Sequence, residues 1–266
     1  MLLWVLLEKQ ESRGRVLSEE GRCIMVFSSR QSRCRYLPPV ELYDQILTLV
    51  ATTSADRRFH TVVEAVLKQV LSFLSSDAVG LKLSILQCLA PAEMVICLYV
   101  RMTLETAPWT HGPCMELHGA ESLAGYAATR RIAAVSQDVS ANPEHLPLRL
   151  EEHTNSIAVF PLLQEGRIAG CFQVSSTQQA FFSPPCLDAL RAYTALLSLA
   201  FPPSAFCDQQ VLRLHVMPDN DVQRTHFASL RQRVAAQMRS LGQTEATVLQ
   251  AELRVIQELA QELAIL

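Results

Sequence analysis

The sequence predicts an α+β fold in which a central antiparallel sheet lies between helices that precede and follow it. Apolar residues recur every three or four positions over 41–54, 58–74 and 183–201, which is the spacing of a helix with one buried face. Between these stretches, shorter apolar or alternating runs are separated by turn residues, which is typical of antiparallel strands.

The strands and short helices of the central segment follow in order. Residues 79–85 alternate apolar with small or polar side chains, which indicates a half-buried strand. The predicted strands lie over residues 78–89, 94–106, 131–136, 156–163 and 168–175. Residues 164–167 form the turn of a hairpin, and short helices are expected over 121–129 and 148–153. Residues 108–119 are expected to be irregular.

The composition fits a globular chain. The 266 residues are 49% hydrophobic and 18% charged, which supplies a packed core and excludes disorder over most of the length. The formal net charge of −3 offers no general surface for polyanions. The apolar start is followed at once by Glu8 and Lys9, and no window is long and apolar enough to span a bilayer. We therefore expect a cytoplasmic protein that makes no use of a membrane.

Paired prolines at 38–39 and 202–203 interrupt regular structure and divide the chain into three parts. We expect an N-terminal basic arm over 1–40, a folded domain over 41–203 and a C-terminal helical segment over 204–266.

The arm contains Arg30, Arg33 and Arg35 close together. Aromatic residues are not interleaved with them and no helix-turn-helix pattern is present, so nucleic-acid binding is not expected.

The central domain carries a series of short motifs. Residues 121–130 read ESLAGYAATR and precede an apolar strand and Asp138. The later strands read SIAVFPLL over 156–163 and IAGCFQV over 168–174, and FFS follows at 181–183. This run over about residues 41–201 resembles the GAF family of sensor domains.

The resemblance implies a small-molecule pocket between the sheet and the variable segments that connect its central strands. The sheet wall would then come from residues 97–101, 158–160 and 171–173, and the lid from 115–126 and 142–153. The polar contacts expected on this basis are Tyr99, His118, Tyr126, His145 and Ser156. The identity of the ligand does not follow from the sequence.

The cofactor patterns of the family are not matched. Family members that bind a linear tetrapyrrole attach it to a Cys followed by His, whereas Cys114 is followed by Met115, so no covalent tetrapyrrole is expected. His111, Cys114 and His118 lie within eight residues, but a structural zinc site needs four ligands. No metal site is therefore expected.

The favoured function is regulatory rather than enzymatic. A few small members of the family reduce free methionine sulfoxide through cysteines, and Cys97, Cys114 and Cys171 are the candidates for such a thiol chemistry here. A reactive thiol needs an exposed, electropositive setting, and the neighbours of Cys97 and Cys171 are apolar. We expect a signalling domain that binds a small molecule and acts on a downstream protein; a ligand-free dimerising scaffold is the alternative.

The C-terminal segment has the spacing of a coiled-coil seam. The seam residues are Phe227, Leu230, Val234, Met238, Leu241, Leu249, Leu253, Ile256, Ala260 and Leu263. They predict a homodimer built mainly from helices 41–54, 58–74 and 223–265, either in parallel pairing or through an antiparallel hairpin that folds at 241–243. The alternative is that these helices pack on their own domain.

Overall fold

The computed structural model describes residues 37–75, 79–89, 94–109, 115–142, 145–149, 151–241 and 245–265. The cluster Arg30, Arg33 and Arg35 lies outside the described residues, as do His111 and Cys114. Within the described ranges, no helix combines the length and the apolar character needed to cross a bilayer.

The centre of the molecule is a six-stranded sheet in which every neighbouring pair is antiparallel. Its strands are β1 (Leu81–Cys88), β2 (Leu98–Glu105), β3 (Leu117–His118), β4 (Ala134–Ser136), β5 (Ser156–Gln164) and β6 (Arg167–Ser176), in the order β3-β2-β1-β6-β5-β4. The predicted α+β fold is confirmed. The two-residue strand β3 lies in the stretch that was expected to be irregular.

Seven α-helices surround the sheet in the part of the chain that the structure describes. They are α1 (Val40–Thr52), α2 (Ala55–Leu74), α3 (Leu123–Arg130), α4 (Pro184–Ser198), α5 (Asn220–Phe227), α6 (Leu230–Leu241) and α7 (Glu245–Leu263). The helices predicted before and after the sheet are therefore present, and the C-terminal segment is helical as expected.

The main core lies between one face of the sheet and helices α1, α2 and α4. Ala158, Phe160 and Leu162 alternate along β5 and point into it, because side chains two apart on a strand share a face. Phe59 and Tyr193 bring the helices onto this layer and are almost fully buried. Burying a large apolar side chain contributes about 1.5–3 kcal/mol, so this layer accounts for much of the stability.

The opposite face of the sheet, which we call the α3 face, is covered by α3 and by the chain between β4 and β5. Its apolar part contains Val159 and Cys171 from the sheet and Leu123 and Ala127 from the helix. Ser122 begins the helix, and its hydroxyl oxygen accepts a hydrogen bond from the amide of Gly125 at 3.0 Å.

The chain after α4 remains attached to the sheet. Ile168 pairs with Cys207, and Val95 pairs with Leu212, as isolated β-bridges. The segment between α4 and α5 is therefore held against the sheet at two points.

Helices α6 and α7 lie antiparallel to each other, and Arg233 bonds to both carboxylate oxygens of Glu262 at 2.6 and 3.1 Å. Ile256, Ala260 and Leu263 of the predicted seam are buried against the domain of their own chain, in a cluster with Tyr99. This is the packing foreseen in the alternative interpretation of the seam. The homodimer stays a prediction.

The prediction of a short helix over 148–153 is wrong for the residues described there. Residues 148–149 and 151–153 have no helical conformation, and His153 has a φ of 66°. Tertiary hydrogen bonds hold the segment instead: the indole of Trp109 donates to the carbonyl oxygen of Glu152 at 3.0 Å. Such contacts override a local helical pattern.

Candidate functional site

A small cavity lies on the α3 face, between the sheet and the chain that covers it. Its lining residues are His118, Ser122, Leu123, Val139, Leu148, Arg149, Glu151, Thr154, Ile157 and Gln173. In this conformation, the space has room for about one water molecule or one ion. The cavity is therefore a tight space lined by both polar and apolar side chains rather than an open pocket.

Two acidic side chains and one imidazole meet beside this cavity. Strand β3 pairs His118 with Leu98, and the Glu116 carbonyl accepts from the amide of Val100 at 2.9 Å, so Glu116 and His118 project to the same face. His118 Nε2 lies 3.5 Å from Glu116 Oε2. Glu151 joins them from the chain between β4 and β5, and one donor atom from each of the three lies within 4.8 Å of the others.

Lys82 supplies the positive charge that compensates these carboxylates. Its Nζ lies 3.1 Å from Glu151 Oε2 and 3.9 Å from Glu116 Oε1, and all three side chains are largely buried. Burial opposes the ammonium charge, but attraction to Glu151 and Glu116 outweighs it and raises the pKa of Lys82. Gln173 donates to Glu151 Oε1 at 3.4 Å and closes the group from the β6 side.

Several buried polar atoms on this face have no hydrogen-bond partner among the described residues. They include His118 Nδ1, Thr154 Oγ1, Ser84 Oγ and Ser175 Oγ. A buried polar atom without a partner costs about 1–3 kcal/mol. His118 and Thr154 border the cavity, so two of these unpartnered atoms belong to residues that a bound molecule or ion would contact.

The strand that carries His118 is tied to the C-terminal segment. The Gln223 side chain accepts from the amide of Leu117 at 2.8 Å and donates to its carbonyl oxygen at 2.9 Å. Arg149 donates to the same carbonyl at 2.6 Å and also to the carbonyl of Pro218. Glu121 accepts from the amide of Met217 at 2.8 Å. His118, which borders the cavity, is thus the neighbour in sequence of Leu117, whose backbone bonds to Gln223 of α5.

Of the five residues predicted to contact a ligand, the structure places His118 at the cavity and the other four elsewhere. The Tyr99 hydroxyl donates to Gln87 Oε1 at 3.2 Å, beside α7. Ser156 is buried and donates to the carbonyl oxygen of Gln178 at 2.7 Å. Tyr126 is half-buried against the apolar part of the α3 face, and His145 is exposed.

The residues that sequence reasoning missed are Lys82, Glu116, Glu151 and Thr154. The spacing of Glu116 and His118, two apart in the chain, would have marked one face of a strand. A two-residue strand has no periodicity of its own, so this spacing does not stand out in the sequence.

Of the cysteines considered for thiol chemistry, the two that the structure describes lie in different places. Cys97 lies in the cluster beside α7, and Cys171 lies in the cluster on the α3 face. Burial raises the pKa of both thiols well above the ordinary value. Neither thiol has the exposed, thiolate-favouring setting of a reactive cysteine.

The chain is similar to several proteins of known structure. A structure of the GAF domain of an Acinetobacter phosphoenolpyruvate-protein phosphotransferase is 18% identical, covering 65% of this chain and 93% of that one with a TM-score of 0.46. A free methionine-R-sulfoxide reductase from Neisseria meningitidis, solved with its substrate, is 19% identical with coverages of 66% and 93% and a TM-score of 0.43. The GAF domain of a Bacillus halodurans two-component sensor histidine kinase is 15% identical with coverages of 53% and 92% and a TM-score of 0.41.

No curated protein matches the chain. The model of the GAF domain family matches residues 58–201, which is more than half of the 266 residues and includes every strand of the sheet. The chain therefore belongs to the GAF domain family.

Proposed function

We propose that this protein is a regulatory sensor in which a small ligand at the cavity of the α3 face alters the C-terminal helices. The observation that carries the proposal is the pair of hydrogen bonds between Gln223 and Leu117. Leu117 precedes His118, which borders the cavity, and Gln223 belongs to α5. One short strand thus contacts both the binding site and the segment that would carry the response.

The ligand must favour one arrangement of β3 over another, since a ligand that binds both equally shifts nothing. His118 and Thr154 line the cavity, and each has a buried polar atom without a hydrogen-bond partner among the described residues. A ligand that moves β3 changes the geometry of the Leu117 backbone, and therefore of its bonds to Gln223 and Arg149. The response then passes to α5 and to α6 and α7, which follow it in the chain.

Hydrogen exchange tests this proposal. Small molecules that raise the melting temperature of the full chain are selected first, and exchange is then measured with and without each one. We expect protection at residues 115–118 together with altered exchange in α5, α6 and α7. In Gln223→Leu, the ligand should still protect residues 115–118 while the change in the helices is reduced. Protection that never extends beyond the cavity contradicts the proposal.

A dimerising scaffold is the second candidate, and the outer face of α1 favours it. Val40, Tyr43 and Leu47 are 71%, 37% and 57% exposed and lie on one stripe of that helix. We propose that a second copy of the chain covers this stripe. Light scattering at micromolar concentration tests it: Leu47→Asp should yield monomer, whereas Gln45→Asp, on an exposed position of the same helix, should not. A parent chain with the mass of a monomer contradicts the dimer.

The cellular setting is part of the proposal. The described cysteines Cys88, Cys97, Cys171, Cys186 and Cys207 are free thiols, which is typical of proteins in a reducing compartment such as the cytoplasm. In that setting, a downstream signalling protein would contact the C-terminal helices. Co-purification with the full chain, compared with a Gln223→Leu chain, identifies a partner that depends on this coupling.

A further inference from the structure

We propose that one divalent transition-metal ion binds beside the cavity of the α3 face, held by Glu116, His118 and Glu151. The inference rests on the proposed function, because it names the ligand class of the same cavity. It departs from the expectation, made from the sequence, that the chain holds no metal.

The donor set is the first support. An imidazole nitrogen and two carboxylate oxygens suit zinc and neighbouring first-row ions, whose bonds to these atoms are about 2.0–2.2 Å. Donors that share such an ion lie about 3–3.5 Å apart, and the three here already lie within 4.8 Å of one another. Side-chain movements of about 1 Å would therefore complete the ligand set.

The unpartnered atoms are the second and independent support. His118 is 2% exposed and Thr154 is 9% exposed, both border the cavity, and each has a polar atom with no hydrogen-bond partner among the residues described. The space is large enough for about one ion or water and too small for a metabolite in this conformation. Size and free polar atoms together favour an ion.

The ammonium group of Lys82 would compete with a metal ion for the carboxylates of Glu116 and Glu151. Its ammonium lies 3.1 Å from Glu151 and 3.9 Å from Glu116, and a metal ion shared by these carboxylates must displace it. Glu105 lies opposite Lys82 in the pairing of β1 with β2 and offers the released ammonium another carboxylate. The buried carboxylates are therefore compensated by Lys82 without the metal ion and by the metal ion when it is bound. Such a site changes its arrangement when a cation binds.

Three protein donors leave coordination positions open, as in metal sites that also bind water or a small molecule. Thr154 lies at this cavity and is the residue placed to hydrogen-bond a metal-bound water. Because Glu116 and His118 already lie 3.5 Å apart, metal binding would mainly draw Glu151 toward them. It would thereby act on β3, which is the strand that contacts Gln223.

Equilibrium dialysis of the untagged full chain against Zn²⁺, Mn²⁺ and Mg²⁺ tests the site, with bound metal measured by mass spectrometry. We expect one Zn²⁺ per chain and affinities in the order Zn²⁺, Mn²⁺, Mg²⁺. Glu116→Gln, Glu151→Gln and His118→Gln should each weaken Zn²⁺ binding by about tenfold or more. Glu64→Gln and His60→Gln, which change the same residue types on α2, should bind as the parent does.

Lys82→Met provides the decisive variant, because unfolding cannot mimic its result. Removing the competing ammonium should tighten Zn²⁺ binding by about tenfold or more and enlarge the rise in melting temperature that Zn²⁺ causes. Unchanged or weaker binding in Lys82→Met overturns the proposal. So does parental affinity in all three ligand variants.

Different results would contradict the proposed metal site and the proposed sensor function. Zn²⁺ binding that leaves exchange in α5, α6 and α7 unchanged contradicts the sensor function and supports the site. An organic ligand that alters this exchange in a chain that binds no Zn²⁺ overturns the metal site and supports the sensor function.

Discussion

The side-chain amide of Gln223 takes the place of a strand partner for Leu117, 106 residues earlier in the chain. Leu117 lies in β3, at the edge of the sheet, where one side of the backbone has no neighbouring strand. An amide side chain has both an acceptor and donors, so it satisfies the N–H and the carbonyl oxygen of one residue together. Gln223 is 1% exposed, which removes water as an alternative partner.

Replacing Gln223 should therefore destabilise the fold. In Gln223→Leu, the buried backbone groups of Leu117 lose this partner, and we expect a loss of about 2 kcal/mol in the free energy of unfolding. Urea denaturation measures it. Gln232→Leu makes the same change at an exposed position of α6 and should stay within about 0.5 kcal/mol of the parent. Equal stability of the two variants would show that the Gln223 bonds contribute nothing.

Gly170 should not tolerate a side chain. A Cβ at this position, where φ is 155°, would lie 1.9 Å from the carbonyl oxygen of Leu86 on the paired strand β1. Because backbone atoms cannot yield cheaply, Gly170→Ala should cost about 3 kcal/mol, at the upper end of overpacking effects. The comparison is Gly166→Ala, where φ is 75° and nothing lies within 4 Å of the added Cβ. There we expect only the conformational cost of about 1 kcal/mol. Thermal unfolding of both variants distinguishes a steric clash from a φ effect.

Helix α7 should contribute to the stability of a single chain. Ile256 is 2% exposed, so Ile256→Ala removes buried methyl groups and should cost about 2–4 kcal/mol. Val248 on the same helix is 38% exposed, and Val248→Ala should change stability by less than about 0.5 kcal/mol. Unfolding is measured at several protein concentrations. A loss for Ile256→Ala that appears only where the parent is dimeric would place this side chain in an interface between chains.

The buried thiols should react slowly in the native protein. Burial raises the pKa of Cys97 and Cys171, and it raises the pKa of Cys186 to about 11. A raised pKa means less thiolate at pH 8, so alkylation of these three should be much slower than in the denatured chain. As the pH approaches 10, Cys186 should gain reactivity before the other two. Site-resolved mass spectrometry after iodoacetamide treatment measures the rates. Fast labelling of Cys171 at pH 8 would contradict the buried setting and reopen thiol chemistry on the α3 face.

Elements with a local pattern could be predicted from the amino-acid sequence. The helical spacing over 58–74 and the apolar runs over 156–163 and 168–175 repeat often enough within one segment to indicate both the element and its buried face. These elements became α2, β5 and β6. Their family could be predicted as well, because the motifs of the resemblance lie on the same elements.

The seam in the C-terminal segment shows what a local pattern does not predict, namely the surface against which a helix packs. The apolar spacing correctly indicated helices with one buried face, but hydrophobic burial is non-directional and does not specify the partner. The structure buries Ile256 and Leu263 against the domain of their own chain.

The candidate site depends on contacts between distant parts of the chain. Glu151 lies far along the chain from Glu116 and His118, and Lys82 comes from a third element. Strand β3 is too short for a periodic signal and exists because β2 on one side and Gln223 on the other satisfy its backbone. The described residues 148–149 and 151–153 have tertiary hydrogen bonds, at Arg149 and Glu152, in place of the helix that their local pattern predicted. A polar site on a sheet face is assembled from single residues of separate elements, so no one segment of the chain contains its pattern.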